Sequence, residues 1–233
     1  SSPSRLGNRI YIVAGSGHVY GYNLTTRKID WDFYVGADMD GSPTVTYDNC
    51  ILVSVEKEYI DGKGGVFKLD PSKPADSSCV VWYFSTENDT SNKTIWEGGV
   101  IGSASVNDLT RPSYMPHLAG FSAIDGYFYL VEHDKLDTVK VWGPNRKYHY
   151  PTPKFIASRW VGPGISTPLF VGNRMVVASY SGISLFEYMP DNKVTRLQRR
   201  YIGSVEATPF IFNKRIYVGS RDGYLYCLGE AEE

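Results

Sequence analysis

Short apolar runs separated by polar turns recur along the whole chain, and most of them contain aromatic or β-branched residues. The clearest example is EATPFIFNKRIYVGSRDGYLYCL at residues 206–228, which is typical of strand, turn, strand, glycine turn and strand. Residues of these types favour strands over helices. Because no segment keeps a 3.6-residue apolar period over three turns, the pattern predicts an all-β protein.

The same pattern repeats at fixed spacings. A proline lies seven residues before the start of an apolar run at Pro3, Pro168 and Pro209, and a glycine follows that start after seven more residues each time. Looser copies begin at Pro43 and Ala104. Such a repeat indicates an array of equivalent supersecondary units.

The first copy holds enough strands for one four-stranded antiparallel sheet. A hairpin around Gly17 joins 9–15 to 18–23, and residues 28–34 supply an outer strand that contains Trp31. Sheets of this size, about 40 residues, are the blades of β-propellers. We therefore predict a single β-propeller domain over residues 1–233 with about five four-stranded blades, part of a larger or incompletely closed ring. The predicted blades are approximately 1–36, 37–95, 96–161, 162–202 and 203–233. The last blade is predicted to lack its outer strand.

Two inserts complicate the third blade. Residues 108–118 and 144–153 contain prolines and no clear period, so both are predicted to be loops. Between them, 127–130 is predicted as the second strand and 139–142 as the third. The predicted turn between these strands contains three polar residues, Glu132, His133 and Asp134.

Charge and hydropathy limit the partners and the location to be expected. With 24 basic and 25 acidic residues the net charge is −1, and without a basic excess nucleic acid is not an expected partner. No apolar run reaches 18 residues, so no transmembrane segment is predicted. Tripeptides beginning at Asn23, Asn88 and Asn92 match the N-glycosylation pattern. The start at Ser1 fits a mature secreted chain or an excised domain, and we expect a periplasmic or extracellular location.

Loops that join blades and turns between second and third strands are expected on one face, around the central opening. We call this the mouth face. The candidate ligand-binding residues there are Asp38, Asp40, Trp96, Glu97, Glu132, His133, Ser166, Glu206, Arg221 and Asp222. Carboxylates are hard oxygen ligands, which makes Asp38, Asp40 and Glu97 candidates for a cation site. The alternative is that these are solvated turn residues, because tight turns select Asp and Gly.

Catalytic residues are not predicted. The sequence has no nucleophile elbow, zinc-protease motif, P-loop or dinucleotide fingerprint. Glu132, His133 and Asp134 invite an acid–base or metal interpretation, but adjacent side chains on a strand point to opposite faces and do not converge.

The units resemble the PQQ-like (quinoprotein alcohol dehydrogenase-like) repeat. The residues that carry this resemblance are 41–43, 67–70, 81–84 and 215–228. It implies a β-propeller, in a family that includes quinone-dependent dehydrogenases and non-catalytic scaffolds such as an outer-membrane assembly lipoprotein. Those dehydrogenases carry an adjacent Cys-Cys disulfide and a calcium held by Glu, Asn and Asp. The three cysteines here, at 50, 79 and 227, are not adjacent, so neither PQQ nor calcium is assigned as a cofactor.

The preferred hypothesis is a non-catalytic propeller that binds a protein or polymer on its mouth face. One alternative is a quinone-dependent, calcium-assisted oxidoreductase or a degenerate remnant of one, which the family resemblance alone suggests. The other is a glycan-binding or glycan-processing module with a polysaccharide partner, suggested by acids and aromatics around a funnel.

Overall fold

The structure, a computed structural model, describes residues 1–88 and 95–229. Residues 89–94 and 230–233 lie outside this part of the chain. The predicted acceptor tripeptide at Asn92 lies wholly outside it, and the one at Asn88 partly so. The described residues form strands and one short 3-10 helix, Ser77–Cys79, which confirms the all-β prediction. None of their helices is long and apolar enough to cross a membrane.

Five antiparallel sheets follow one another along the chain, and we number them as blades 1 to 5. Blade 1 consists of β1 (Ser4–Leu6), β2 (Arg9–Ala14), β3 (His18–Asn23) and β4 (Lys28–Tyr34). Blade 2 consists of β5 (Thr44–Val45), β6 (Ile51–Val55), β7 (Gly65–Leu69) and β8 (Val80–Ser85). Blade 3 consists of β9 (Ser105–Val106), β10 (Leu118–Ser122), β11 (Tyr127–Trp142) and β12 (His149–Trp160). Blade 4 consists of β13 (Leu169–Val171), β14 (Arg174–Ser179), β15 (Gly182–Tyr188) and β16 (Val194–Arg200). Blade 5 consists of β17 (Phe210–Phe212), β18 (Arg215–Gly219) and β19 (Leu225–Leu228).

The assignment of segments to the second and third strands of blade 3 was wrong. Its second strand is β10, while the segments 127–130 and 139–142 both belong to the long third strand β11. The turn before β11 identifies it as a third strand, because DGYFY at 125–129 matches DGYLY at 222–226, which leads into the third strand of blade 5. In both turns the aspartate accepts hydrogen bonds from the backbone amide two residues later and from the tyrosine hydroxyl four residues later.

Half of the predicted loop at 144–153 is strand, because β12 begins at His149. β11 and β12 form an extended hairpin, and Pro151 and Pro153 pair with β11 on the outer edge of the sheet. An edge strand tolerates proline because one side of its backbone has no ladder partner. The hairpin tip leaves blade 3 and reaches its two predecessors. The Pro144 carbonyl accepts a 2.7 Å hydrogen bond from the backbone amide of Gly62, in the loop between β6 and β7. The side-chain amide of Asn145 donates to the Val35 carbonyl, just after blade 1, at 2.5 Å.

Hydrophobic layers between consecutive blades form the core. Tyr11, Trp31 and Phe33 of blade 1 pack with blade 2, and equivalent layers join each later pair. Because β6 and β7 have neighbours on both sides, every residue of these two strands is buried. The outward faces of the two end blades are exposed in the described chain, with Tyr34 at 61% and Phe210 at 63%. No closed ring forms among the described sheets, consistent with the predicted incomplete closure.

The serine or threonine that precedes each repeated proline, and Ser103 before Ala104, link neighbouring blades. The Ser2 amide donates to Ser42 Oγ at 2.8 Å, and the Ser42 amide donates to Ser103 Oγ at 2.8 Å. The Ser103 amide then donates to Thr167 Oγ1 at 3.0 Å. The sequence selects a hydroxyl at these steps because it satisfies a backbone amide of the preceding blade.

We expect Ser103→Ala to lower the free energy of unfolding by about 1–2 kcal/mol, because it leaves the Ser42 amide without its acceptor. Urea denaturation measures the change. Ser103→Thr keeps a hydroxyl and should retain most of the stability. Ser113→Ala, on an exposed turn, is the matched control with an effect within about 0.5 kcal/mol. Equal losses in Ser103→Ala and Ser113→Ala would contradict the role of the ladder.

Candidate functional site

Loops that join blades contact turns between second and third strands along the mouth face. The Glu56 amide donates to the Asp38 carbonyl at 3.1 Å, which joins the second-to-third-strand loop of blade 2 to the loop after blade 1. Lys57 Nζ lies 3.8 Å from a Glu97 carboxylate oxygen in the loop after blade 2. Further contacts continue through Trp96 to blades 4 and 5.

Three carboxylates form a compact acidic cluster at one end of this face. Asp38, Glu56 and Glu58 each offer an oxygen, and these oxygens lie within 4.8 Å of one another. Asp38 is fixed by its own loop, because its Oδ1 accepts a 2.8 Å hydrogen bond from the Met39 amide. Glu56 is fixed by the end of β6 and by a bridge to Gly99. We call Asp38, Glu56 and Glu58 the acidic cluster.

Glu56 is the unusual member of the acidic cluster. Only 4% of the residue is exposed, and within residues 1–88 and 95–229 its carboxylate has neither a hydrogen-bond donor nor a basic partner. Burial raises its pKa to about 7, with further contributions from the charges of Asp38, Glu58 and Asp40. Burial and the Asp40 charge also raise the pKa of Asp38. The cluster therefore concentrates negative charge, and no basic side chain among residues 1–88 and 95–229 pairs with Glu56.

An aromatic and ionic group occupies the other end of the mouth face. The rings of Trp96 and Tyr180 stack with centroids 6.0 Å apart, and Tyr180 donates its hydroxyl to Glu206 at 2.9 Å. The same Glu206 oxygen accepts from Arg221 at 3.1 Å. Burial and the bond to Glu206 raise the pKa of Tyr180, which keeps its hydroxyl a donor at neutral pH. Three predicted residues, Trp96, Glu206 and Arg221, thus meet beside Tyr180.

The structure separates the three residues proposed from sequence as cation ligands. Asp38 belongs to the acidic cluster, whereas Asp40 and Glu97 are exposed and lie outside it. Glu56 and Glu58 were not among the ligands predicted from the sequence. Their spacing of two residues, just after an apolar strand, is the sequence signal for side chains on the same side of an extended segment.

Ser166 and Asp222 have structural roles in the fold. Ser166 is 1% exposed and donates its hydroxyl to the Ala207 carbonyl at 2.9 Å, which links blade 4 to the loop before blade 5. Asp222 closes its turn through the Tyr224 amide and the Tyr226 hydroxyl. The bond from Tyr226 is the main cause of its lowered pKa.

The predicted location of Glu132 and His133 on the mouth face was wrong. Both are buried within β11, because the turn that precedes this strand is at Asp125 and Gly126. Glu132 forms ion pairs with Lys135 and Lys154, the latter at 2.8 Å. His133 lies on the opposite side of the strand and contacts Asp108.

His133 belongs to a buried polar network between blades 2 and 3. Asp108 Oδ1 accepts from His117 Nδ1 at 2.7 Å and from His133 Nε2 at 3.0 Å. Lys68, 1% exposed, donates to Asp48 at 2.5 Å, to the His133 carbonyl at 2.9 Å and to His133 Nδ1 at 3.3 Å. Because Lys68 donates to Nδ1, the ring proton of His133 lies on Nε2 and points to Asp108.

The network satisfies its own charges. Burial alone would raise the pKa of Asp108, but hydrogen bonds from His133 and His117 outweigh it and lower the pKa to about 2. Asp108, His117 and His133 also have the spacing of metal ligands. A metal on His133 Nε2 would displace the proton that Lys68 fixes there, so the geometry favours a structural network over a metal centre.

Comparison with known proteins identifies the fold. No family profile and no curated protein matches the chain. BamB from Moraxella catarrhalis is similar in structure, with a TM-score of 0.63 and 14% identity. The match covers 97% of this chain and 56% of the BamB chain, so this chain spans little more than half of that protein. The computationally designed Ika4 protein has a TM-score of 0.47 and 11% identity over 84% of this chain and 92% of its own. The chain is therefore a β-propeller similar in fold to BamB.

Proposed function

We propose that this chain is a non-catalytic PQQ-like β-propeller that binds a protein partner on its mouth face. The observation that supports this most is the set of acidic side chains and the stacked aromatic pair in the loops between blades and in the turns between second and third strands. The likeness to BamB supports the fold on which the proposal depends. A periplasmic or extracellular location remains part of the proposal.

The chemistry of the face favours a basic partner segment. The acidic cluster, Asp40 and Glu97 present negative charge, and Glu97 is 75% exposed at its side chain. Complementary charge accelerates association and selects against wrong partners. Trp96 and Tyr180 supply aromatic contact area next to these charges, and Trp and Tyr are enriched among residues that dominate binding energy.

Reversing exposed charges on the mouth face is expected to weaken binding of a basic peptide at least tenfold. The variant is Asp40→Lys with Glu97→Lys, and the probe is a fluorescent peptide of alternating lysine and tyrosine, compared with its glutamate–tyrosine counterpart. Fluorescence anisotropy at low and high salt measures the Kd, which should rise with salt because exposed charges are screened.

The matched control is Asp137→Lys with Asp191→Lys, which makes the same change in net charge at exposed residues outside the mouth face. It should bind the basic peptide within about twofold of the wild type, since long-range charge alone has a small effect at high salt. Equal weakening in both variants, or preference for the acidic peptide, would overturn the proposed face. Quinone uptake in equilibrium dialysis or a specific glycan ligand would favour the alternative functions.

A further inference from the structure

We propose that Asp38, Glu56 and Glu58 form a calcium-binding site that joins blade 1 to blade 2 at the mouth face. This site goes beyond the proposed protein binding and does not depend on it. Its ligands come from two separate segments, the loop between β4 and β5 and the loop between β6 and β7.

The spacing of the oxygens fits one ion. Calcium binds oxygen at 2.3–2.6 Å, so two oxygens on the same ion are at most about 5 Å apart. The three carboxylate oxygens lie within 4.8 Å of one another, inside that limit. Magnesium binds at 2.0–2.1 Å, demands a stricter octahedron and usually keeps several of its waters. An all-carboxylate set that spans two loops is closer to the flexible coordination that calcium accepts.

Glu56 is the observation that points to a ligand. Glu56 is 4% exposed as a residue, and the carboxylate of a side chain so nearly buried normally has a donor or a basic partner, because burying a charge without one is costly. Within the described residues Glu56 has none, and the charges that act on it come from Asp38, Glu58 and Asp40. A divalent cation supplies the missing partner and offsets two of the three negative charges.

The nearest lysine does not take this role. Lys57 directs its Nζ to the Ile60 carbonyl at 2.5 Å and lies 3.8 Å from Glu97, away from the acidic cluster. The chain therefore brings three like charges together and leaves their compensation to an ion. Such an ion also fixes the loop after β6 to the loop after β4, next to the backbone bond from Glu56 to Asp38.

Calorimetric titration of calcium chloride into chelator-treated protein tests the site. We expect one ion per chain with a Kd below about 1 mM at pH 7.5, within the range of extracellular calcium modules. Affinity should rise up to about tenfold per pH unit as the pH increases towards 7, because calcium displaces the Glu56 proton. Thermal unfolding followed by circular dichroism should shift upwards with calcium.

Glu56→Gln and Glu58→Gln should each weaken calcium binding at least tenfold. Asp40→Asn and Glu97→Gln remove acids from the same face outside the acidic cluster, so they should keep the Kd within about threefold. A folded circular dichroism spectrum separates lost binding from lost structure, and Glu56→Gln is expected to fold because it removes an unpaired charge. Absence of binding at 10 mM calcium, unchanged binding in the cluster variants, or equal affinity for magnesium would overturn the assignment.

Discussion

Replacing Lys68 with methionine is expected to lower the free energy of unfolding by about 2–3 kcal/mol, or to lower Tm by about 5–10 °C for a chain of this size. Lys68 is 1% exposed, and its ammonium group donates to Asp48 and to both the ring and the carbonyl of His133. Methionine fills a similar volume but supplies none of these bonds. Asp48 is partly exposed, so water solvates it in the variant and keeps the loss below that of a fully buried pair.

Lys193→Met is the matched surface control, because Lys193 pairs only with its neighbour Asp191 and is 77% exposed at its side chain. Its effect should stay within about 0.5 kcal/mol. A double-mutant cycle of Lys68→Met with Asp48→Asn should show a coupling of about 1 kcal/mol or more, since the two side chains interact directly. Additive losses in that cycle would contradict the network.

Glu56→Gln is expected to stabilise the calcium-free protein at pH 8 by roughly 2–3 kcal/mol. The pKa of Glu56 rises from its ordinary value of 4.5 to about 7 in the folded state, so the folded chain binds this proton more tightly than the unfolded chain. Stability therefore falls as the pH rises from about 4.5 through 7, and the cost is complete above the folded pKa. Glutamine resembles the protonated acid and does not titrate.

Urea denaturation at pH 5 and pH 8 in the presence of a chelator measures this effect. At pH 5 the advantage of Glu56→Gln should shrink to about 1 kcal/mol, because the wild-type carboxyl is then largely protonated in the folded state. Glu97→Gln, exposed on the same face, should show no comparable pH dependence. A pH-independent difference between wild type and Glu56→Gln would show that packing, and not ionisation, sets the cost.

Local signals account for what the sequence predicted of the fold. Alternating apolar runs and turn glycines are set by residues close in the chain, so β2, β3 and β4 were located almost to the residue. The strand order predicted for blade 3 was wrong because the aromatic segment at 127–130 suits any strand of a blade. Only the match of DGYFY with DGYLY identifies this segment as the start of the third strand. The extended hairpin was not predicted because Pro151 and Pro153 indicate a loop. Proline fits a strand only at a sheet edge, and the sequence alone does not show which strand is at the edge.

The candidate site was predictable only in part, for a related physical reason. Asp38 and Glu206 follow from their places in loops between blades, since topology alone puts those loops on one face. The burial of Glu56 depends on how the loop after blade 2 crosses it at Gly99, a contact between distant residues. The structural roles of Ser166 and His133 likewise come from partners 41 and 25 residues away.

The extended hairpin also changes how the array holds together. In an ordinary repeat protein each unit contacts only its immediate neighbours, and stability is approximately a sum over adjacent pairs. Here Asn145 of blade 3 bonds to Val35 beside blade 1, and Tyr150 packs edge-on against Phe67 of blade 2 at 5.6 Å. Blade 2 therefore lies between blades 1 and 3, and the hairpin of blade 3 also contacts the loop after blade 1. We therefore expect blades 1 to 3 to open as one cooperative unit, whereas the hold on blades 4 and 5 should depend on pairwise stacking.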